Sequence, residues 1–277
     1  MPLYPDFTRT YINIPDILCG SVWLPFSESG LLCTAAGDSI ALLQNLPAEL
    51  ALVSNPISIG TLNGVTYVAC EIADPSLLPD AKPCELRSLY GRIPLQEWLI
   101  AGYAAQVLHW RKTSGYCPVC GSEMGAMGNE WSRKCTRCGH ERYPQVSPAL
   151  LILVQDGADR ILMAHKPGWG DRYSIFAGFV LPGESLEECV HREVAEEAGV
   201  LVGELVYTGS QPWPFPHQLM IGFQAKYLSG EITIDQEELD DARWFHAAEL
   251  PALPGALSLS RQMIDAWVSE STKLKVR

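Results

Sequence analysis

Apolar and polar positions change their spacing along this 277-residue chain in a way that divides it. From Met1 to about Pro83, short β-type runs such as Thr61 to Val68 alternate with Gly, Pro, Asn and Ser punctuation, which predicts an α+β domain with no catalytic constellation. Between Pro94 and Trp110, the residues Leu95, Trp98, Leu99, Gly102, Ala105, Leu108 and His109 recur at spacings of three and four, predicting a helix with one apolar stripe. After Pro148 the apolar run Ala149 to Val154 predicts a strand. It opens a region where strands alternate with helix-like segments around Ser185 to Ala198 and Ser258 to Val268, so a mixed sheet flanked by helices is expected. No internal repeat or low-complexity tract is visible. The expected domains are 1–112, 113–144 and 145–277.

The chain is 47% hydrophobic and 19% charged, which suits a sizeable core and excludes disorder as the main state. Thirty-two acidic against twenty basic side chains give a formal charge of −12, which repels phosphate backbones and argues against bulk nucleic-acid binding. The longest apolar run, Ala149 to Val154, falls far short of the roughly 20 residues of a membrane span, so no membrane association is expected. Asp6, Arg9 and the prolines at 2, 5 and 15 do not form a secretory leader, and the cytoplasm is the default location.

Of nine cysteines, Cys19, Cys33, Cys70, Cys84 and Cys189 are scattered and read as small buried hydrophobes. Cys117-Pro-Val-Cys120-Gly and Cys135-Thr-Arg-Cys138-Gly instead form two knuckles with the spacing of a tetrahedral thiolate site. Structural Zn²⁺ is the expected occupant, because four protein ligands leave no position for reacting water. An iron–sulfur centre or redox pairs are the alternatives, and optical absorption separates them from colourless zinc. Around the knuckles Arg111, Lys112, Arg133, Lys134, Arg137 and Arg142 outnumber Glu123, Glu130 and Glu141, a local charge of 6 − 3 = +3. A solvated basic face is favoured over a contact surface for a phosphate-bearing substrate.

The segment Gly178-Phe-Val-Leu-Pro-Gly-Glu184-Ser-Leu-Glu-Glu-Cys-Val-His-Arg192-Glu193-Val-Ala-Glu196-Glu197-Ala-Gly199-Val200 carries the main chemical signal. Ser185 with Glu188 predicts a capping box and Gly199 a left-handed C-terminal cap, so the helix is expected over about Leu186 to Ala198. Glu193, Glu196 and Glu197 then lie on neighbouring positions of one face, with Arg192 beside them and Glu184 able to fold back from the loop. A glutamate-rich helix is more often a wet surface. Gathered carboxylates are nevertheless hard ligands for Mg²⁺ or Mn²⁺, which keep open positions for phosphate oxygens.

The pattern G-x5-E-x7-R-E-U-x-E-E-x-G-U, with Val194 and Val200 in aliphatic places U, resembles the Nudix box at every specified position. That resemblance implies a Nudix α/β/α sandwich, following the N-terminal α+β domain and a small zinc ribbon, and hydrolysis of a nucleoside diphosphate linked to another group. Downstream, Ser210-Gln-Pro-Trp-Pro-Phe-Pro-His-Gln218 is stiffened by its prolines, with Trp213 and Phe215 able to face a flat ring. It is similar to the S-Q-P-W-P-F-P-x-S array of the NADH pyrophosphatase subgroup, except that Gln218, with a longer reach and both donor and acceptor atoms, replaces the final serine.

The subgroup resemblance implies a homodimer that cleaves NADH or NAD⁺ into nicotinamide mononucleotide and AMP, or removes NAD caps from RNA by the same chemistry. By the same analogy the catalytic groups are Glu184, Arg192, Glu193, Glu196 and Glu197. The Mg²⁺ or Mn²⁺ ligands are the Ala177 carbonyl, Glu193, Glu196, Glu197 and Glu238. Substrate contacts carried over are Gln211, Pro212, Trp213, Pro214, Phe215, Pro216, His217 and Gln218, with Glu130, Tyr143, Arg87 and Ser260. A reading from another class is a zinc-ribbon nucleic-acid-binding protein with an inactive Nudix fold, against which the intact glutamates argue.

Overall fold

The computed structural model describes residues 7–9, 20–41, 53–128, 131–157 and 159–274. The chain forms two compact units: Pro2–Gln145 with Pro214–His217, and Val146–Trp213 with Gln218–Arg277.

In the first unit β1 (Phe7–Thr8), β2 (Val22–Ser27), β3 (Gly30–Thr34), β4 (Val53–Leu62), β5 (Val65–Ile72) and β6 (Ala81–Cys84) form a sheet of order β1-β4-β5-β2-β3-β6. The run Thr61 to Val68, expected as one strand, is split into a hairpin. Asn63 and Gly64 both take positive φ, the backbone of a two-residue type I′ turn. Helix α1 (Leu95–Thr113) follows where its periodicity predicts. Its burial is not one stripe, however: Trp98, Ile100, Ala101, Ala104, Val107, Leu108 and Trp110 are all buried, while Leu95 is exposed. A helix packed on more than one side loses the 3.6-residue contrast from which a stripe is read. The ribbon strands β7 (Met124–Met127), β8 (Arg133–Cys135) and β9 (Glu141–Arg142) complete this unit.

The second unit holds β10 (Ser147–Gln155), β11 (Arg160–His165), β12 (Phe176–Phe179), α2 (Leu186–Ala198), β13 (Leu201–Trp213), β14 (Gln218–Ser229), β15 (Asp241–His246) and α3 (Leu259–Leu274). Its sheet has the order β13-β14-β10-β11-β15, with β12 paired to β10. Strand side chains alternate between faces, and β10 uses this to build two cores. Leu150, Ile152 and Val154 pack with Cys189, Val190, Val194 and Ala198 of α2. Leu151 and Leu153 pack with Leu259, Met263, Ile264 and Trp267 of α3. This is the expected α/β/α sandwich.

An internal repeat, not visible in the sequence, appears in the topology. The order β4-β5-β2-β3-β6 matches β13-β14-β10-β11-β15 strand for strand, with one parallel pair in each, β2/β5 and β10/β14. Each series is followed by a long helix, α1 or α3. In sequence order the stretch between Thr34 and Val53 corresponds to the segment that holds the glutamate helix, and it carries Asp38 and Glu49 but no cluster of carboxylates.

Candidate active site and four-cysteine centre

Local chemistry sets helix α2. Ser185 Oγ accepts from the Glu188 N–H at 3.2 Å, Glu188 Oε2 accepts from the Ser185 N–H at 2.7 Å, and Gly199 closes the helix at φ 69°. Each end of the helix is thus capped. Glu193 and Glu197, four residues apart, turn inward and are buried, whereas the Glu196 side chain is exposed, so the three carboxylates do not share one face.

Arg192 organises this end of the helix. Its guanidinium donates to Glu184 Oε1 at 2.7 Å and Oε2 at 2.9 Å, to Glu193 Oε1 at 2.8 Å and to Glu196 Oε2 at 2.9 Å. It also donates to the Phe179 carbonyl at 2.9 Å, tying the helix to the end of β12. The hydrogen bond from Arg192, reinforced by the Leu181 N–H, holds the Glu184 carboxyl down at about 2. Glu193 lies directly on Gly178: a Cβ there would stand 1.8 Å from the Glu193 carboxyl carbon. The glycine that opens the motif therefore provides the space that the carboxylate fills, beside the Ala177 carbonyl position.

Glu197 is only 2% exposed. Burial pushes its carboxyl up to about 7, against the opposing pull of Lys166. Lys166, which immediately follows β11, donates to Glu197 Oε1 at 3.0 Å and stands 3.5 Å from Glu238 Oε2. Burial disfavours the ammonium, but Glu197 and then Glu238 more than offset this and raise its pKa. The other carboxylate oxygen of Glu197 is buried without a hydrogen-bond partner. Such an oxygen costs roughly 1–3 kcal/mol unless something satisfies it. A hard divalent cation accepts oxygen ligands of this kind, so the unpartnered oxygen of Glu197 suits one by its chemistry. Lys166 was not singled out in the sequence, because it lies outside the motif and no local pattern marks it.

The remaining expected contacts are distributed differently from the sequence reading. Ser210 to Trp213 belong to β13 and Gln218 to β14, so the stiff segment is a hairpin whose tip is Pro214 to His217. Gln211 is engaged at both ends of its amide: Nε2 donates to the Leu257 carbonyl and Oε1 accepts from the Leu259 N–H, each at 2.8 Å. It clasps the start of α3. The Arg87 guanidinium lies 4.2 Å from the Phe215 ring centre, so these two groups form a cation–π pair. His217 faces His109 with ring centres 5.3 Å apart. Pro214 is buried, Pro212 and Pro216 are exposed, and Trp213 is half-buried. Gln218 Oε1 is buried without a partner. Tyr143 is exposed and donates to Glu141. Ser260 is buried and bonds Ser258 Oγ at 2.9 Å, within the first turn of α3. Glu130 lies outside the described residues, as does Cys19.

Among the described residues, Cys117, Cys120, Cys135 and Cys138 are the metal-type group whose ligand atoms all lie within 4.8 Å of one another. Cys117 Sγ is 3.6 Å from Cys138 Sγ, and Cys120 Sγ is 3.5 Å from Cys135 Sγ. Zn–S bonds of about 2.3 Å require tetrahedral edges of about 3.8 Å, close to this spacing. The N–H groups of Cys138 and Arg137 donate to the Cys135 sulfur at 3.5 Å and 3.4 Å, contacts that favour the thiolate zinc needs. The basic count around the knuckles overstates the free charge. Arg133 donates inward to the carbonyls of Gly125, Ser114 and Met124, Arg142 to the Thr113 carbonyl, and Lys134 pairs with Glu141. Cys33, Cys70 and Cys189 are buried, and burial pushes each thiol up to about 12, as expected for inert hydrophobes.

Comparison with known proteins identifies three family matches: a NUDIX domain over residues 146–267, an NADH pyrophosphatase-like rudimentary NUDIX domain over 20–110, and an NADH pyrophosphatase zinc ribbon domain over 112–143. The chain is 41% identical over 222 residues to a protein from Pseudomonas aeruginosa (strain LESB58) named NAD-capped RNA hydrolase NudC, covering 80% of this chain and 79% of that one. A protein of the same name from Stutzerimonas stutzeri (strain A1501) is 40% identical over 222 residues, covering 80% of each chain. Among solved structures, a NUDIX hydrolase from Nitrosomonas europaea aligns over 56% of this chain and 90% of its own, with 22% identity and a TM-score of 0.48.

Proposed function

The chain belongs to the Nudix hydrolases, and from that premise we propose that it cleaves the diphosphate of NADH and NAD⁺, releasing nicotinamide mononucleotide and AMP. The observation that carries this reading is Glu197, a buried carboxylate with one unpartnered oxygen, next to a Glu193 seated on glycine and tied by Arg192. Glu193, Glu196, Glu197, Glu238 and the Ala177 carbonyl would hold Mg²⁺ or Mn²⁺, which supplies neutralisation of phosphate charge and a lowered pKa for bound water. Arg192 keeps Glu184, Glu193 and Glu196 in fixed positions through charge-assisted hydrogen bonds, so that little rearrangement remains to be made during the reaction. Hydrolysis adds water across one P–O–P link, the oxygen joining phosphorus and each fragment leaving as a monophosphate. The net negative charge does not oppose an anionic substrate, because the local field at such a site is set by bound cations.

The substrate contacts of this reading are Trp213, Phe215 with Arg87, Tyr143, Gln218 and Glu130. Structural Zn²⁺ in the four-cysteine centre, a homodimer and a cytoplasmic location complete it, and unpaired buried thiols accord with a reducing compartment. The relatives named NAD-capped RNA hydrolase favour the NAD cap of RNA as a further substrate, on which the same cut leaves a 5′ monophosphate. Incubation with NADH, NAD⁺, ADP-ribose and NAD-capped RNA, each with Mg²⁺ or Mn²⁺, is read by mass spectrometry. Nicotinamide mononucleotide is expected from the NAD-containing substrates. Its absence from all of them, with either metal, refutes the proposal, and kcat/KM at stated salt ranks free dinucleotide against capped RNA.

A further inference from the structure

We propose that Lys166 is a built-in competitor for the divalent cation: its ammonium stands between Glu197 and Glu238, and an ion that binds both carboxylates must displace it. The inference rests on the reading of Glu197 and Glu238 as metal ligands and adds a residue that sets how tightly they hold the metal. The two carboxylates come from separate elements, Glu197 from the last turn of α2 and Glu238 from the turn before β15. Lys166 Nζ is the cation they share, at 3.0 Å and 3.5 Å. The Lys166 backbone is held at its own carbonyl, which accepts from the Trp169 N–H at 3.1 Å, and through the residue before it. His165 is bound through one ring nitrogen to Asp240 and through the other to the Gly170 carbonyl, and its own carbonyl accepts from the Asp240 N–H at 3.2 Å. With its base fixed, the ammonium is delivered to the carboxylates by its own stem, and that stem has four rotatable bonds by which to withdraw.

An ammonium is an incomplete partner at this position. It carries a single charge, and Glu197 Oε2 remains buried without a hydrogen bond. A divalent ion brings twice the charge and takes about six oxygen ligands, so it can satisfy the oxygen that lysine leaves bare. Exchange of one cation for the other then lowers the apparent metal affinity by the free energy of the ion pairs lost. It also gives the buried Glu197 a counter-charge at all metal concentrations, which an isolated buried carboxylate would lack.

The test uses the full chain with its zinc retained and without nucleotide. Mn²⁺ binding is followed at pH 8.5 by the electron paramagnetic resonance of free Mn²⁺, in wild type, Lys166→Met and Lys166→Gln. Both variants are expected to bind Mn²⁺ about tenfold more tightly, about 1.4 kcal/mol for the two ion pairs, one of them to a buried carboxylate, that the metal no longer has to break. Mn²⁺ is also expected to raise the Tm of the variants more than that of wild type. Equal or weaker Mn²⁺ binding in the folded variants, with normal binding in wild type, overturns the inference and leaves the metal site standing. No Mn²⁺ bound by any of the three overturns both. Should the methionine variant fail to fold, the glutamine variant, which keeps a hydrogen-bonding end without charge, decides the question alone.

Discussion

Gly178→Ala isolates the contact between strand and carboxylate on which the site is built. The added methyl would stand 1.8 Å from the Glu193 carboxyl carbon and 2.0–2.1 Å from its two oxygens, where ordinary contact begins at 3.4 Å. Glu193 must therefore withdraw by roughly 1.5 Å, and a displacement near 1 Å in an active site can cost about 100-fold in rate. The obstruction is the far end of a flexible side chain, so the fold yields cheaply. A stability loss of about 1 kcal/mol corresponds to a Tm drop of about 2–4 °C in a domain of this size. The expected result is a folded enzyme whose kcat/KM for NADH falls by about 100-fold, equivalent to about 2.7 kcal/mol of transition-state stabilisation. A double-mutant cycle sharpens the test: in a Glu193→Ala background the methyl meets no carboxylate, so Gly178→Ala should add almost nothing. A folded Gly178→Ala enzyme within twofold of wild type, or full additivity with Glu193→Ala, would refute the reasoning.

Glu197→Gln should abolish nearly all turnover while leaving zinc content and far-ultraviolet circular dichroism unchanged; retained turnover would contradict the role given to Glu197. In the absence of divalent cations, burial raises the folded-state Glu197 pKa from 4.5 to about 7, so between these values the folded protein binds more protons than the unfolded chain. Its contribution to stability therefore falls as pH rises from about 4.5 to 7, and the Tm of Glu197→Gln, followed by calorimetry, should decline less over that window than the Tm of wild type. Elemental analysis should find one zinc per chain in a colourless protein, and Cys135→Ser should lower both zinc content and resistance of the ribbon to proteolysis; intact zinc in that variant counts against the four-thiolate centre. Gln211→Ala removes two hydrogen bonds that hold the start of α3 and should cost about 1–3 kcal/mol in urea denaturation, with an unchanged midpoint as the contrary result.

Features governed by nearest neighbours were legible in the sequence. Helix α2 begins and ends where Ser185, Glu188 and Gly199 place it, because caps act over three or four residues. The knuckle spacing likewise predicted the approach of four sulfurs. Features governed by packing were not legible. The stripe on α1 dissolved because the helix is buried on more than one side, and the repeated strand order left no periodic trace because topology constrains only which positions are apolar. Arg133 and Arg142 are surface charges by local spacing, yet both donate to backbone carbonyls. Gln211 and Lys166 show the same limit from opposite sides. The first lies in a recognisable array but serves α3, while the second lies in no array and meets two glutamates distant in sequence. A long-range partner cannot be read from local spacing.

Two sheets of the same strand order in a single polypeptide pose a hazard during synthesis, since a nascent strand can be captured by its counterpart in the other copy. β2 (VWLPFS) and β10 (SPALLILVQ) differ in side chains, and unlike side chains disfavour such exchange. A chimera that restored likeness between β2 and β10 would erode this protection, and swapped, aggregation-prone assemblies would accumulate as the chain left the ribosome.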